Sequence, residues 1–433
     1  MNDWKLEKLG NITHKIGSGA TPRGGKNVYL DNGIPLIRSQ NIYNGYFNHS
    51  GLAFLSEKSA KELENVIVQK NDNLINITGD SVCRSTIVPD NLINSRVNQH
   101  VMIIRPIQQV LHYRYLHYFL ISPSTQKILY SFSDSGGTRK ALTKEMVSEL
   151  EIPLPSLTTQ QKIADILGSL DDKIELNRQM NQTLEAMARA IFKSWFVDFD
   201  PVYAKMEGRD YPLPPEIMDL FPDELEESEL GLIPKGWRVG KVENNIEIQN
   251  GFAFKSEDYI TDGVFVFRTK NFSTYNNCER LKDDVFLPND FLQSHKKFIC
   301  QPFDFHVVMV GASVGKTSII YPNCLPALRN QNMWCFRPNK QFLYRHFINL
   351  LMKNLIQQKL TWASGSARDF FRKSDFYDFN VIYPEKRLLE KFENIINSMF
   401  QKISLNLSST DILVSTREQL SPKLLKGEID ING

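Results

Sequence analysis

The chain has 433 residues, 42 % of them hydrophobic, and its 51 Lys and Arg residues nearly balance 49 Asp and Glu residues. This length and hydrophobic content suffice for two or three domains with cores of their own and exclude a largely disordered protein. No apolar run reaches the roughly 18 residues that a membrane helix needs, and Met1–Lys5 does not resemble the start of a secretory signal, so we expect a cytoplasmic protein.

Charge and cysteine placement narrow the class of protein further. Residues 1–157 and 237–385 carry net charges of +4 and +5, whereas residues 200–236 carry −7. Phosphate binding depends on local positive surface, so two basic regions joined by an acidic segment are compatible with a nucleic-acid ligand. The cysteines are scattered without a C-x-x-C pair, which favours buried free thiols over a disulfide framework or a zinc site.

The sequence contains an internal repeat. Four segments of the first half recur in the second half in the same order, at offsets of 229 to 232 residues. The pairs are Ile34–Asn41 with Val264–Asn271, Gly79–Ser85 with Gly311–Thr317, Asn98–Gln99 with Asn330–Gln331, and Ser135–Arg139 with Ser364–Arg368. Because order and spacing are both kept, the chain is predicted to be two copies of one unit.

The first part of each copy, residues 1–157 and 237–385, is predicted to be a mixed α/β domain. Short β-prone runs such as Val66–Val68 and Val101–Ile104 are separated by Gly, Asn and Pro. Residues 200–236 contain six prolines and many acids, and we interpret them as a solvated connector that redirects the chain.

Each domain is followed by a predicted spacer helix, residues 158–199 and 386–433. Seam residues recur in each helix at alternating steps of four and three, which is typical of a coiled coil. The positions are Ile163, Leu167, Leu170, Ile174, Asn177, Asn181, Leu184, Ala188, Ile191 and Trp195, and then Phe392, Ile396, Met399, Ile403, Asn406, Thr410, Leu413, Arg417, Leu420 and Leu424. An ordinary amphipathic helix is the alternative, but such helices rarely exceed about 25 residues.

Both seams are polar at their centres, at Asn177 and Asn181 in the first helix and at Asn406 and Thr410 in the second. If the helices pair antiparallel within one chain, Asn177 meets Asn406 and Thr410, and the amides fix the register. The predicted fold is therefore α+β: two mixed α/β domains separated by two long antiparallel coiled-coil helices, with an internal pseudo-two-fold repeat.

Familiar catalytic motifs are incomplete in this sequence. Gly311–Thr317 resembles a phosphate-binding loop but has three residues between its glycines where that loop needs four. The first copy has Arg84 where the second has Lys316, so we favour a turn that presents a cation to DNA phosphate. Pro214-Pro215 lacks the flanking residues of an adenine methyltransferase motif, and His112 and His117, five residues apart, are expected to be structural or surface residues.

A set of basic and amide residues remains as candidates for DNA binding, because Arg, Asn and Gln match base edges. The set is Arg38, Asn41, Arg84, Arg96, Asn98, Gln99, Arg139 and Lys140 in the first domain, and Arg268, Asn271, Lys316, Arg329, Asn330, Gln331, Arg368 and Arg372 in the second. Positions shared by both copies are expected to form framework or phosphate contacts. Base contacts are expected in segments that differ, such as Arg23–Asn32 and Ser294–Phe305.

The whole chain resembles the specificity subunits of type I restriction-modification systems. The segments that carry the resemblance are Phe192–Pro201, Ser228–Trp237, Gly251–Ser256 and Pro422–Glu428. The resemblance implies two target-recognition domains, double-stranded DNA as ligand, and assembly with two methyltransferase subunits and with restriction subunits. It also implies that S-adenosylmethionine, ATP and Mg²⁺ are used by those partners, and that this chain has no catalytic or metal-binding residues.

Since the two copies differ between their shared motifs, we expect an asymmetric, interrupted target. A single-chain DNA-modifying or ATP-dependent enzyme is the main alternative function, and a purely structural coiled-coil adaptor is a third. The absence of complete catalytic motifs argues against the enzyme, and the two basic domains argue against the adaptor.

Overall fold

The computed structural model describes residues 4–134, 140–363, 372–429 and 431. The candidates Arg139 and Arg368, and the repeated segments that contain them, lie outside the described residues. The chain divides into two compact units, one formed by residues 1–175 with 411–433 and the other by residues 176–410. Each unit contains one α/β domain and part of each long helix.

The first domain is built from short strands and four helices. Its strands are β1 (Leu6–Lys8), β2 (Thr13–Ser18), β3 (Ile34–Ile37), β4 (Ile42–Tyr43), β5 (Tyr46–Phe47), β6 (Ala53–Leu55), β7 (Asn73–Asn76), β8 (Ser85–Ile87), β9 (Arg96–Val97), β10 (Val101–Pro106) and β11 (Glu151–Pro153). Its helices are α1 (Glu57–Lys61), α2 (Tyr113–Ile121), α3 (Pro123–Asp134) and α4 (Lys144–Ser148).

A four-stranded antiparallel sheet, in the order β2-β10-β7-β8, forms the centre of this domain. Side chains alternate between its two faces, as the pleat of a strand requires. Ile75 and Met102 belong to one core cluster, together with residues of α2, whereas Leu74 and Ile103 belong to another, together with residues of β3, β6 and β9. Strand β3 pairs antiparallel with β6 and parallel with β9.

The second unit contains the connector, the second domain and its helices. Its strands are β12 (Leu225–Ser228), β13 (Gly231–Pro234), β14 (Arg238–Lys241), β15 (Ile246–Asn250), β16 (Val264–Phe267), β17 (Phe286–Leu287), β18 (Phe305–Val308), β19 (Thr317–Ile319), β20 (Ala327–Arg329), β21 (Met333–Pro338) and β22 (Asn380–Tyr383). The helices of the chain after α4 are α5 (Leu157–Phe196), α6 (Asp200–Met206), α7 (Pro215–Met218), α8 (Phe291–Ser294), α9 (Arg345–Ala363), α10 (Ser374–Tyr377) and α11 (Lys386–Leu425).

The second domain repeats the topology of the first. Its four-stranded sheet has the order β15-β21-β18-β19, and its three-stranded sheet has the order β17-β16-β20 with the same antiparallel and parallel pairings. The ion pair between Asp72 and Arg105 also recurs, 232 residues later, between Asp304 and Arg337. The predicted internal repeat is therefore confirmed at the level of strand order and of buried polar contacts.

Residues 200–236 form part of the second unit's core. Val202, Ile217, Phe221 and Ile233 are buried in the same cluster as Trp237. The interpretation of this segment as a solvated linker is wrong. The segment carries a strong negative charge, but Val202 of α6, Ile217 of α7 and Ile233 of β13 face the core.

Helices α5 and α11 are each 40 residues long and pair antiparallel, as predicted. In the first unit, Ile163 near the start of α5 shares a core cluster with Leu424 near the end of α11. In the second unit, Phe192 near the end of α5 packs near Phe392 at the start of α11, with ring centroids 6.2 Å apart.

The central amides of the two seams meet within the second unit. Asn177 Nδ2 lies 3.4 Å from the backbone oxygen of Asn406 and 3.3 Å from Thr410 Oγ1. Asn406 Nδ2 in turn donates to Asn181 Oδ1 at 2.8 Å. These contacts confirm the predicted antiparallel pairing. They place hydrogen-bonded polar residues, which can fix the register, at the centre of each seam.

Two further sequence expectations concern buried thiols and membrane helices. All five cysteines are free and buried, as predicted: Cys83, Cys278, Cys300, Cys324 and Cys335. Among the described residues, no helix combines the length and apolar character that a bilayer crossing requires.

Candidate nucleic-acid interface

Asn41 and Asn271 hold equivalent turns inside the two domains. Both are fully buried, and each Oδ1 accepts a hydrogen bond at 3.1 Å from the backbone nitrogen three residues earlier, that of Arg38 or Arg268. Each Nδ2 donates two hydrogen bonds, from Asn41 to two backbone oxygens, and from Asn271 to the backbone oxygen of Glu279 and to Asp284 Oδ1. With every amide atom occupied, these side chains have a framework role here, and the structure gives their predicted DNA contact no support.

Arg96 and Arg329, two more of the candidates for DNA binding, are also buried. Arg96 Nε donates to the backbone oxygen of Ala60 at 3.0 Å, and burial lowers the pKa of the Arg96 guanidinium. Arg329 is 1 % exposed, and its Nε donates to the oxygen of Asn250 at 2.9 Å. Both side chains bind backbone carbonyls inside their domains, so the structure does not support a DNA contact for either.

Arg38 and Arg268 stand at the edges of the turns that Asn41 and Asn271 hold. Each is half-buried and donates from Nη2 to a backbone oxygen, of Gly51 for Arg38 and of Asp283 for Arg268. These two remain candidates for DNA contact because part of each guanidinium lies at the surface.

The turns that carry Arg84 and Lys316 join two antiparallel strands, β7 to β8 and β18 to β19. A phosphate-binding loop instead leads from a strand into a helix, whose N-terminus supplies backbone donors. Arg84 lies over the ring of Tyr43, 4.9 Å from its centroid, and the exposed Lys316 donates from Nζ to the backbone oxygen of Phe272. The turns therefore present cations without the architecture of a nucleotide site.

The Asn-Gln pairs of the two domains lie in equivalent surface turns. The backbone nitrogens of Asn98 and Asn330 donate to β3 and β16 at 3.0 and 2.9 Å, and Gln99 and Gln331 are exposed. Asn98 is buried and its Oδ1 accepts from the backbone nitrogen of His100, whereas Asn330 is half-buried.

Each Asn-Gln turn is packed against a glycine, Gly19 or Gly251, that is not among the predicted DNA-binding residues. A Cβ atom on Gly19 would overlap the backbone oxygens of Val97 and Asn98, and one on Gly251 would overlap the backbone oxygen of Asn330. No other residue allows this close approach. The repeat offset of 232 residues between Gly19 and Gly251 was the signal that could have identified them.

Lys140 and Arg372 are exposed at the ends of the described segments. Lys140 forms an ion pair with Asp134 at 3.2 Å, and the backbone nitrogen of Arg372 donates to Asp375. The candidates that remain at least partly exposed are Arg38, Arg84, Gln99, Lys140, Arg268, Lys316, Asn330, Gln331 and Arg372.

One buried group in the described part of the chain has metal-ligand side chains, namely Asp304, His306 and Cys335. Asp304 Oδ1 already binds Arg337 at 2.9 Å and Arg345 at 2.5 Å. Burial opposes ionisation of Asp304, yet the hydrogen bond and charge of Arg337 outweigh it and lower the pKa of the carboxyl.

The first domain shows what this group does. Its sheet has Leu74 opposite Ile103 at the register where the second domain has His306 opposite Cys335. Burial lowers the pKa of His306 to about 3, so the ring is neutral. An apolar pair fills the same place in the repeat, and this indicates core packing around a structural ion pair.

Taken together, the two domains define a repeat protein with basic and amide side chains at matched surface turns. A family model described as the type I restriction modification DNA specificity domain matches residues 1–186 and 234–406. Since these segments make up most of the sequence, the chain belongs to the family of type I restriction-modification specificity subunits.

Similar proteins include specificity subunits of type I restriction enzymes. The HindI specificity subunit of Haemophilus influenzae is 28 % identical over 99 % of this chain and 100 % of its own length. The MjaIX specificity subunit of Methanocaldococcus jannaschii is 26 % identical over 99 % of this chain and 94 % of its own length. The crystal structure of a type I restriction-modification S subunit from M. genitalium shares the fold, with a TM-score of 0.57, 14 % identity, and coverage of 98 % of this chain and 97 % of that one.

Proposed function

We propose that this chain recognises an asymmetric, interrupted DNA sequence, each domain binding one half-site. The observation that carries the proposal is the combination of a repeated framework with different surface residues. Gly19 and Gly251 hold the same Asn-Gln turn in both domains, but Ala20 follows the first glycine and Phe252 follows the second. Two surfaces with one framework and unlike side chains suit two unlike half-sites.

The chemistry is proposed to lie in partner subunits. The chain would assemble in the cytoplasm with two modification subunits, which use S-adenosylmethionine, and with restriction subunits, which use ATP and Mg²⁺. Two observations support a non-catalytic role. The glycine-rich turns lack the helix of a nucleotide-binding loop, and Arg337 and Arg345 already hold the carboxylate of the Asp304 cluster.

Mapping methylated adenines in cells that carry the complete system tests the recognition proposal. The expected result is one interrupted sequence with two unlike halves, and its methylation should disappear when the gene for this chain is deleted. A palindromic target, or methylation that persists without this chain, would refute the proposal.

A separate assay tests the competing single-chain enzyme. We expect the purified chain to transfer no methyl groups and to hydrolyse no ATP. ATP hydrolysis that Lys316→Ala abolishes would establish the enzyme instead.

A further inference from the structure

Phe252 forms a rigid, partly exposed apolar spot on the second domain. The residue as a whole is 36 % exposed. Its centroid lies 5.0 Å from that of Phe254, 4.7 Å from that of His295 and 5.0 Å from that of Phe298. Because three rings pack around it, the exposed part of Phe252 keeps a fixed position and needs no ordering when a ligand binds.

Polar groups suited to DNA stand next to this ring. The backbone nitrogen of Phe252 donates to the oxygen of Arg329 at 3.1 Å, and Phe252 forms a β-bridge with Asn330. The next residue, Gln331, is exposed, and within the described part of the chain its side chain has no hydrogen bond, although its backbone nitrogen binds Asn330 Oδ1. Exposed lysines, Lys296 and Lys297, begin the turn that carries Phe298.

The first domain keeps this framework and changes the ring. Ala20 is the equivalent of Phe252, because its backbone nitrogen donates to Val97 at 3.0 Å and it follows the packed Gly19. Gln99 is exposed beside it, as Gln331 is beside Phe252. A fixed glycine and a shared glutamine flank one position that is a methyl group in one domain and a phenyl ring in the other. The two domains therefore present different apolar groups at one equivalent surface position.

We propose that Phe252 contacts the 5-methyl group of a thymine in the major groove of the second half-site, with Gln331 hydrogen-bonded to an adjacent adenine. The proposal rests on the proposed function and names one of its base contacts. An apolar side chain recognises the thymine methyl group, and Gln matches N6 and N7 of adenine. Since three rings pack against the sides of Phe252 and only part of it is exposed, the residue suits a surface contact better than insertion between base pairs, which requires a projecting side chain.

The experiment uses the complete methyltransferase complex and synthetic duplexes that contain the mapped target. Each thymine of the second half-site is replaced in turn by deoxyuridine, which removes only the methyl group. With the wild-type complex, one replacement should weaken binding about fourfold, the factor expected for one buried methyl-sized group. Replacements in the first half-site should leave the Phe252 contact intact.

Phe252→Ala then assigns the effect to this residue. The variant complex should bind the natural target more weakly and should no longer distinguish thymine from deoxyuridine at that position. Leu343→Ala is the matched control, because Leu343 is 74 % exposed in the same unit and has no part in the proposed contact. Its sensitivity to deoxyuridine should equal that of the wild type.

Each outcome separates this inference from the proposed function. If the wild-type complex recognises an interrupted target but tolerates deoxyuridine at every position of the second half-site, the thymine contact is refuted while the proposed function stands. The same holds if Phe252→Ala keeps the wild-type sensitivity. If the wild-type complex recognises no interrupted target, the proposed function itself fails. A wild-type complex that tolerates deoxyuridine throughout the second half-site refutes the thymine contact even where a Phe252 variant does not assemble.

Discussion

At the scale of single residues, burial distinguishes side chains that stabilise a domain from side chains that can contact a ligand. Asn271 and Arg84 illustrate the difference. Asn271 is fully buried with all its amide atoms bonded, whereas Arg84 is half-buried and lies against Tyr43 at the surface. Asn271 recurs as Asn41, and Arg84 has another cation, Lys316, as its equivalent, so both positions belong to the repeat. Only the packing around them distinguishes their roles.

Asn271→Ala should therefore reduce stability and leave DNA contacts in place. The change leaves a buried backbone nitrogen and buried oxygens without partners, which costs about 1–3 kcal/mol of unfolding free energy. Arg84→Ala should lower the denaturation midpoint less than Asn271→Ala does, because it removes only the contact with the Tyr43 ring. It should also weaken DNA binding by the complex and reduce the slope of log affinity against log salt by about one. Urea denaturation and salt-dependent binding assays measure the two effects, and the opposite assignment of effects would contradict the prediction.

Buried histidines make stability depend on pH. Burial lowers the pKa of His117 to about 4, of His306 to about 3 and of His346 to about 4. An unfolded chain binds protons at these residues near pH 6.5, but the folded chain does not, so stability is fully present above pH 6.5 and falls as the pH decreases toward 4. Urea midpoints should decrease over this range.

A double substitution that copies the equivalent pair of the first domain tests the contribution of His306. His306→Leu, combined with Cys335→Ile, recreates the Leu74 and Ile103 pair of the first domain. The variant should retain the fold and lose part of the pH dependence, because one proton-binding site of the unfolded chain is gone. An unchanged pH profile would show that His306 does not contribute.

At the scale of elements, periodicity predicted the long helices well and composition predicted the connector poorly. The alternating steps of four and three residues identify α5 and α11, because a seam must repeat wherever two helices stay in contact. In residues 200–236 the acids outnumber the apolar residues that build the core, such as Val202 and Phe221. The burial of Arg329 could not be predicted from the sequence either. A strand residue faces the core or the solvent according to the register of the strand, which the sequence alone does not show.

The amides at the centre of the helix pair are expected to fix the register of the pairing at a cost in stability. Replacing both Asn177 and Asn406 by Leu removes buried polar groups from the seam and should raise the urea midpoint of the chain. Leu405→Ser on the same helix is the control, because Leu405 is 67 % exposed, and it should leave the midpoint unchanged. A decrease in stability for the double variant would mean that the contacts around Asn181 and Thr410 outweigh the gain in apolar packing.

At the scale of the whole molecule, the two compact units suggest how to exchange a half-site specificity. The contacts of the first domain extend beyond residue 157. Gln160 Oε1 accepts from the backbone nitrogen of His112 at 2.8 Å, and Ile163 and Leu424 belong to the core of the first domain. The first unit, residues 1–175 with 411–433, contains all of these partners.

We therefore expect an exchange of the complete first unit with that of the Haemophilus influenzae relative to be more stable than an exchange of residues 1–157 alone. The larger exchange keeps each core with its own helix segments, whereas the smaller one sets foreign core residues against Ile163 and leaves Gln160 facing a foreign loop. Both hybrids, assembled with modification subunits that accept them, should methylate a target in which only one half-site has changed. Thermal denaturation ranks the two designs, and methylation mapping identifies the half-sites. A change in both half-sites after either exchange would show that the domains do not recognise DNA independently.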